Sequence, residues 1–260
     1  EKPLARNRYE CEDLIKTAKE HNAYLIPFQQ SFFAPYYLKA QEIVKSGVLG
    51  KIMQIDITYN NFARRWDWQT LQKKLGGGIY NTGPHPIGLA LGFLDFDKDV
   101  SVKYSKLDKA LTSGDSDDYA KILLVAPKKP LIDIEVCSND ANPAWNLKIL
   151  GSRGTLYSNL KEYKLTYIVD GENPEKPVQE EFLQDENGNP IHCRENLIKH
   201  FEEGEFDPQA VFTGATERVY REIYQLILEN IPVTITAENA MQVVEIIDRV
   251  HAENPLPLIY

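Results

Sequence analysis

Short runs of alternating polarity dominate the middle of the chain and set what it can fold into. Met53, Ile55, Ile57 and Tyr59 alternate with Gln54, Asp56, Thr58 and Asn60, the period of a strand with one buried and one exposed face. Val100, Val102 and Tyr104 repeat the pattern, as do Ile132, Ile134 and Val136, and residues 119–126 form a longer apolar run. Residues 147–150, the turn Gly151-Ser152-Arg153-Gly154 and residues 155–158 read as strand, turn, strand. Residues 163–169 and 178–182 are further strand candidates. Short strands joined by short turns imply a largely antiparallel, open sheet. Helices then cover one face of it, and the other is left to solvent or a partner.

The flanks are helical. Asn7 and Glu10 make a capping-box-like start to a helix over 8–22, with Leu14, Ile15 and Ala18 on its buried side. Residues 23–28 are a short apolar run that reads as a parallel strand. A helix over 36–46 follows, with Gly47 as its C′ residue. Residues 215–229 and 237–253 are amphipathic, the second capped by Thr236. Residues 171–177 and 185–190 are polar loops, and the acidic cluster Glu202-Glu203-Gly204-Glu205 reads as a solvated loop.

Chemistry concentrates in Gly76-Gly77-Gly78-Ile79-Tyr80-Asn81-Thr82-Gly83-Pro84-His85-Pro86. Glycines let the backbone take positive φ or approach a ligand closely. The apolar stretch from Ile87 to Leu94 then reads as a helix with His85 in its first turn, where prolines are tolerated. A helix N-terminus opposes positive charge and favours the neutral imidazole, which can accept a proton at neutral pH. Asn81 reads either as an ordinary turn residue or as an orienter of His85 or a substrate contact.

Composition narrows the classes. A net charge of −9 argues against phosphate-backbone binding, and Arg64-Arg65 is too short a basic footprint for nucleic acid. The 3 cysteines, Cys11, Cys137 and Cys193, are isolated, which implies a reducing, cytoplasmic setting and no structural metal. No apolar stretch reaches the length of a membrane span.

The glycine run with a polar residue and a histidine four positions later resembles the substrate-domain motif of the glucose–fructose oxidoreductase/inositol dehydrogenase (Gfo/Idh/MocA) family. Glu1-Lys2-Pro3 is similar to the Glu-Lys-Pro motif that ends the family's nucleotide-domain core. The resemblance implies an α+β chain: a remnant of a Rossmann domain over residues 1–30, then a substrate-binding and oligomerisation domain over 31–260. No G-x-G-x-x-G follows a strand in these 260 residues, so the chain reads as part of a longer protein. Roughly three to four βα units of about 30 residues each would complete the nucleotide domain. Alone, the chain is expected to bind a dinucleotide poorly.

The resemblance further implies an NAD- or NADP-dependent oxidoreductase acting on a sugar, sugar acid or cyclitol. Its catalytic residues would be His85 and Lys2, with Lys2, Pro3 and Gln29 beside the nicotinamide. Asn81 stands where many members carry aspartate. In the segment Gln29-Gln30-Ser31 the family's usual basic residue is absent. Arg65, Trp66 and Trp68 lie in a loop after the 53–59 strand. Aromatic faces and an arginine suit a polyol or sugar acid, or else the tryptophans pack the loop onto the sheet. Trp145 and Asn142 read as framework, and His21, His192, His200 and His251 as surface residues. The polar face of the 53–59 strand would pair with a second copy. A non-catalytic ligand sensor or assembly subunit on the same fold is the alternative.

Overall fold

A computed structural model describes residues 1–260. Eight strands form one sheet: β1 (Ile52–Asn60), β2 (Ser101–Asp108), β3 (Tyr119–Val125), β4 (Leu131–Cys137), β5 (Leu147–Gly151), β6 (Gly154–Ser158), β7 (Glu162–Tyr167) and β8 (His200–Glu205). Their spatial order is β2-β3-β4-β1-β5-β6-β7-β8, and every pairing is antiparallel except β1 with β4. The mixed, mainly antiparallel open sheet is therefore as the alternation requires.

Register explains the core. Ile55 pairs with Ile132 and Ile57 with Ile134, and Ile122 of β3 faces Ile134 from the other side. All five are buried, with Ile149 of β5 opposite Ile55. On this face lie α2 (Pro35–Ser46) and α4 (Pro84–Phe93), while α6 (Ala237–Glu253) packs on β2 and α4. Branched side chains on a pleated face and an all-apolar helix such as α4 bury one another, and each fully buried Ile or Leu stabilises by about 1.5–3 kcal/mol. Close approach is needed where α4 meets α2: a Cβ at Gly92 would sit 2.3 Å from the Tyr37 hydroxyl. α5 (Ala215–Glu229) lies against a short 3₁₀ turn, Gln30–Phe33, and α1 (Arg8–Glu20) against α6. No helix is long and apolar enough to cross a membrane.

Several local expectations change. Residues 23–28 form no strand, since no neighbouring strand among residues 1–260 lies beside them to take their backbone bonds. Residues 178–182 are not a strand either; Val178 and Phe182 point to solvent without a ladder. The acidic cluster at 202–205, read as a loop, is instead part of edge strand β8, where outward glutamates suit an edge. In α1 the buried residues are Cys11 and Ile15, one turn apart, while Leu14 is exposed. Asn7 caps α1 through Glu10 N at 3.0 Å, but the Glu10 carboxylate turns to Arg6, so only half of the capping box forms. In α6 the box is complete, with Thr236 and Asn239 exchanging hydrogen bonds.

Candidate functional site

β1 and β4 run parallel and end side by side, and the site is built on that end of the sheet. The glycine run reaches it by a tight path. Gly77 has φ +128°, and a Cβ there would sit 2.1 Å from Asp117 Oδ1, so the position requires glycine. The turn is tied to the loop before β3: Gly78 N donates to Asp117 O at 2.8 Å, and Ile79 N donates to Asp117 Oδ2 at 2.8 Å. This bond starts a single helical turn, α3 (Gly78–Asn81), whose first N–H groups have no helical partner. Pro84 and Pro86 sit in the first turn of α4, where no N–H is needed, and His85 lies between them.

His85 is largely buried and lines a cavity of about 280 Å³ with Ser31, Tyr36, Tyr59, Asn60 and Phe212. Its Nδ1 is 3.3 Å from Ser31 Oγ. Its ring stacks parallel to Tyr59, with centroids 6.1 Å apart and planes 10° apart. The Tyr59 hydroxyl meets the Tyr36 hydroxyl at 2.5 Å, and burial holds Tyr59 un-ionised, its pKa raised to about 12. Burial pushes the imidazole pKa down to about 4, with the positive charge of Lys2 adding to it. The neutral ring expected from the sequence is thus present, but burial dominates where the helix N-terminus was invoked.

Lys2 Nζ donates to the main-chain carbonyl of Asn81. Its pKa is lowered, chiefly by burial and further by Arg65, against the opposing pull of Glu1. The structure therefore brings Lys2, Asn81 and His85 to one place, from the chain's first residues, α3 and α4. Asn81 engages Lys2 through its carbonyl, while the contact orienting the His85 ring comes from Ser31. Gln30 and Ser31 reach the cavity. Gln29 instead is buried against α4, its Oε1 without a partner and close to Gly88.

Arg65 is half exposed and ion-paired with Asp67 at 2.6 Å. It lines a second cavity, of about 160 Å³, together with Asn81, Ser116 and Asp117. Trp66 and Trp68 are 82% and 60% exposed and line neither cavity. They do not pack the loop onto the sheet, and they reach a ligand only at the rim. Trp145 is framework: its carbonyl accepts from Thr58 Oγ1 and its ring meets Tyr157 edge-on. His251, read as a surface residue, stacks on Tyr80 at 4.4 Å with Nε2 3.8 Å from Asp117 Oδ1.

Gln30 and Asn60 line the His85 cavity, and each carries a buried side-chain oxygen without a partner, Oε1 and Oδ1. The Asn60 amide is oriented by its Nδ2, which donates to Glu135 at 2.8 Å and Asp140 at 3.2 Å. Its oxygen has no hydrogen-bond partner. Sequence reasoning missed Tyr36, Tyr59, Asn60, Ser116 and Asp117. The first three look like ordinary core and strand positions, and residues 115–118 look like a polar loop. No group of three or more His, Cys, Asp or Glu is arranged to hold a metal ion.

A largely buried histidine with a depressed pKa lies within electrostatic reach of a partly buried lysine at one end of the open sheet. Residues 37–157 match the model of the GFO/IDH/MocA C-terminal domain. An uncharacterized oxidoreductase of Schizosaccharomyces pombe is 24% identical over 184 residues, covering 68% of this chain and 50% of the relative. The 2,7-anhydro-N-acetylneuraminate hydratase of Escherichia coli is 23% identical over 192 residues, covering 72% of this chain and 51% of the relative. The chain thus spans about half the length of these curated relatives. Among solved structures, an NAD-binding protein from Listeria innocua shares the fold with a TM-score of 0.74 at 16% identity, covering 96% of this chain and 70% of that one.

Proposed function

We propose that the protein is a nicotinamide-dependent oxidoreductase of a sugar, sugar acid or cyclitol, and that His85 moves the hydroxyl proton. The observation that carries this reading is the cavity itself. A neutral imidazole with Lys2 beside it sits among unpaired acceptor oxygens, and such acceptors suit a hydroxyl-bearing ligand. The E. coli relative is named as a 2,7-anhydro-N-acetylneuraminate hydratase, which supports a sugar-type ligand, and the Listeria neighbour is named for NAD binding, which supports the cofactor.

The residues here fit the nicotinamide end of such a cofactor. Lys2 donates to the Asn81 carbonyl within electrostatic reach of His85, and Gln30 Oε1 is an unsatisfied acceptor suited to a carboxamide N–H. Gln29 would support this end from behind. When bound, the nicotinamide supplies the hydride acceptor or donor. His85 takes the proton from the reacting hydroxyl, or returns it. Ser31 holds the ring, and Tyr59 keeps it flat against the cavity wall. Lys2 hydrogen-bonds the same oxygen and stabilises its alkoxide-like charge. Asn81 and Arg65 contact the ligand's other hydroxyls, with Trp66 and Trp68 at the rim. Residues 1–30 would belong to the nucleotide-binding domain.

We also propose that the open sheet face pairs with a second copy, through Thr58 and the half-buried Leu123 and Leu131 nearby.

The test is reduction of NAD⁺ or NADP⁺ by the full-length protein across a panel of polyols, aldoses and sugar acids. His85→Ala is expected to lower turnover by about 10²-fold or more. Unchanged turnover removes the proton-transfer role, and no turnover with any member favours the ligand sensor.

A further inference from the structure

Polar residues supply most of the second cavity's lining, and of these the proposed function uses only Asn81 and Arg65. Its walls come from the loop after β1, the glycine turn and the loop before β3. Arg65, Thr70, Asn81, Ser116, Asp117 and Asp118 contribute. Asn61 and Thr82 line both this cavity and that of His85, so the two adjoin across those residues. At about 160 and 280 Å³, each alone falls below the range of about 300–1,000 Å³ usual for small-molecule sites, and together they fall within it.

The walls are fixed in advance. Asp118 accepts from Ala110, Leu111 and Thr112 N at 2.5, 2.7 and 2.6 Å. Asp115 N and Ser116 N both donate to Thr70 O, at 3.0 and 3.1 Å. Against this saturated framework one group stands out. Ser116 is 1% exposed, and its Oγ has no partner. A buried hydroxyl left unpaired costs about 1–3 kcal/mol unless something supplies the bond, and this one belongs to a residue that lines the cavity. A wall built in advance and lacking one partner suits a ligand with hydroxyls.

We infer that this cavity is a second subsite of the same cleft, taking a neutral hydroxylated unit joined to the reacting ring, so that the substrate class is a neutral two-unit glycoside. This rests on reading the His85 cavity as the site of the reacting ring. Neutrality follows from the charges present. The buried acidic residues Asp117 and Asp118 line the cavity, and its single lining cation, Arg65, is already paired with Asp67 at 2.6 Å. An acidic unit would bring a third carboxylate into a desolvated site, which is strongly unfavourable.

Calorimetry on the full-length protein tests this without any redox step. The probes are cellobiose, lactose and maltose, each against the methyl glycoside of its non-reducing sugar, with cellobionate as the acidic counterpart. At least one disaccharide is expected to bind about tenfold or more tighter than its single-unit counterpart, one to two hydrogen bonds' worth. It should also bind tighter than cellobionate. Ser116→Ala keeps the fold and should reduce that advantage about fivefold, and Ser116→Val, which also fills space, should abolish it. The inference is overturned if no disaccharide gains over its counterpart, if cellobionate binds best, or if the advantage survives in both variants. A disaccharide preference without turnover by any sugar sinks the redox reading and keeps the subsite. Turnover of single sugars without that preference does the reverse.

Discussion

Replacing His85 by asparagine should change how stability depends on pH, and the size follows from its burial. The imidazole pKa is about 4 in the folded protein, against an ordinary histidine value of about 6.5. A histidine whose folded pKa is depressed binds its proton better when unfolded. Its contribution is therefore neutral well above pH 6.5 and increasingly destabilising as pH falls from 6.5 to 4. The full span is worth about 3 kcal/mol, at 1.36 kcal/mol per unit. At pH 4.5 about 2.5 kcal/mol of it has already been lost. Asparagine keeps a polar atom near Ser31 and cannot titrate. Urea unfolding of both proteins at pH 7.5 and pH 4.5 isolates the effect, because carboxylates that titrate over the same range cancel in the comparison. The variant is expected to lose about 2.5 kcal/mol less than the parent between the two pH values. Parallel losses would mean that His85 is solvated in solution, and the cavity would not be the desolvated site described.

Gly77→Ala should cost about 2–3 kcal/mol, because alanine is strained at φ +128° and its methyl would meet Asp117; a loss below about 0.5 kcal/mol in urea unfolding would disprove the tight turn. The isolated 260-residue chain should show no NADH or NADPH binding tighter than about millimolar in calorimetry, since it offers no glycine-rich cradle for the pyrophosphate; micromolar affinity would show another phosphate site. Thr58→Arg should convert an assembled full-length protein to a smaller species in light scattering, by placing like charges across a two-fold axis. A mass unaffected by it would move the interface off β1.

The sheet was legible because its signal is local. Ile55, Ile57, Ile132 and Ile134 alternate with polar residues, and alternation survives whatever the strand's neighbours turn out to be. The strands that went wrong depend on a partner. Residues 23–28 have the composition of a buried strand but no adjacent edge in this chain. Strand β8 has the composition of a loop, yet pairs with β7 because an edge tolerates outward glutamates, two of which lie opposite the charged residues Lys164 and Glu162. Hydrophobic periodicity reports burial, and pairing is a separate fact that one strand's sequence does not contain.

The site divides along the same line. His85 could be found because its prolines and glycines constrain the backbone locally, and Lys2 because the resemblance named it. Ser31, Tyr59 and Asp117 act across long separations in the chain, and nothing in their own neighbourhoods marks them. Asp117 shows why. Its carboxylate caps the turn that begins at Gly78, nearly forty residues earlier, beside Gly77, where a Cβ would meet it. A run such as Asp115-Ser116-Asp117-Asp118 reads as solvated only while its carboxylates have no backbone donors to accept from. Here Asp115, Asp117 and Asp118 each hold the N–H groups of a different segment, so the acidic loop is the piece that sets the glycine turn, and with it Asn81 and Lys2, against His85.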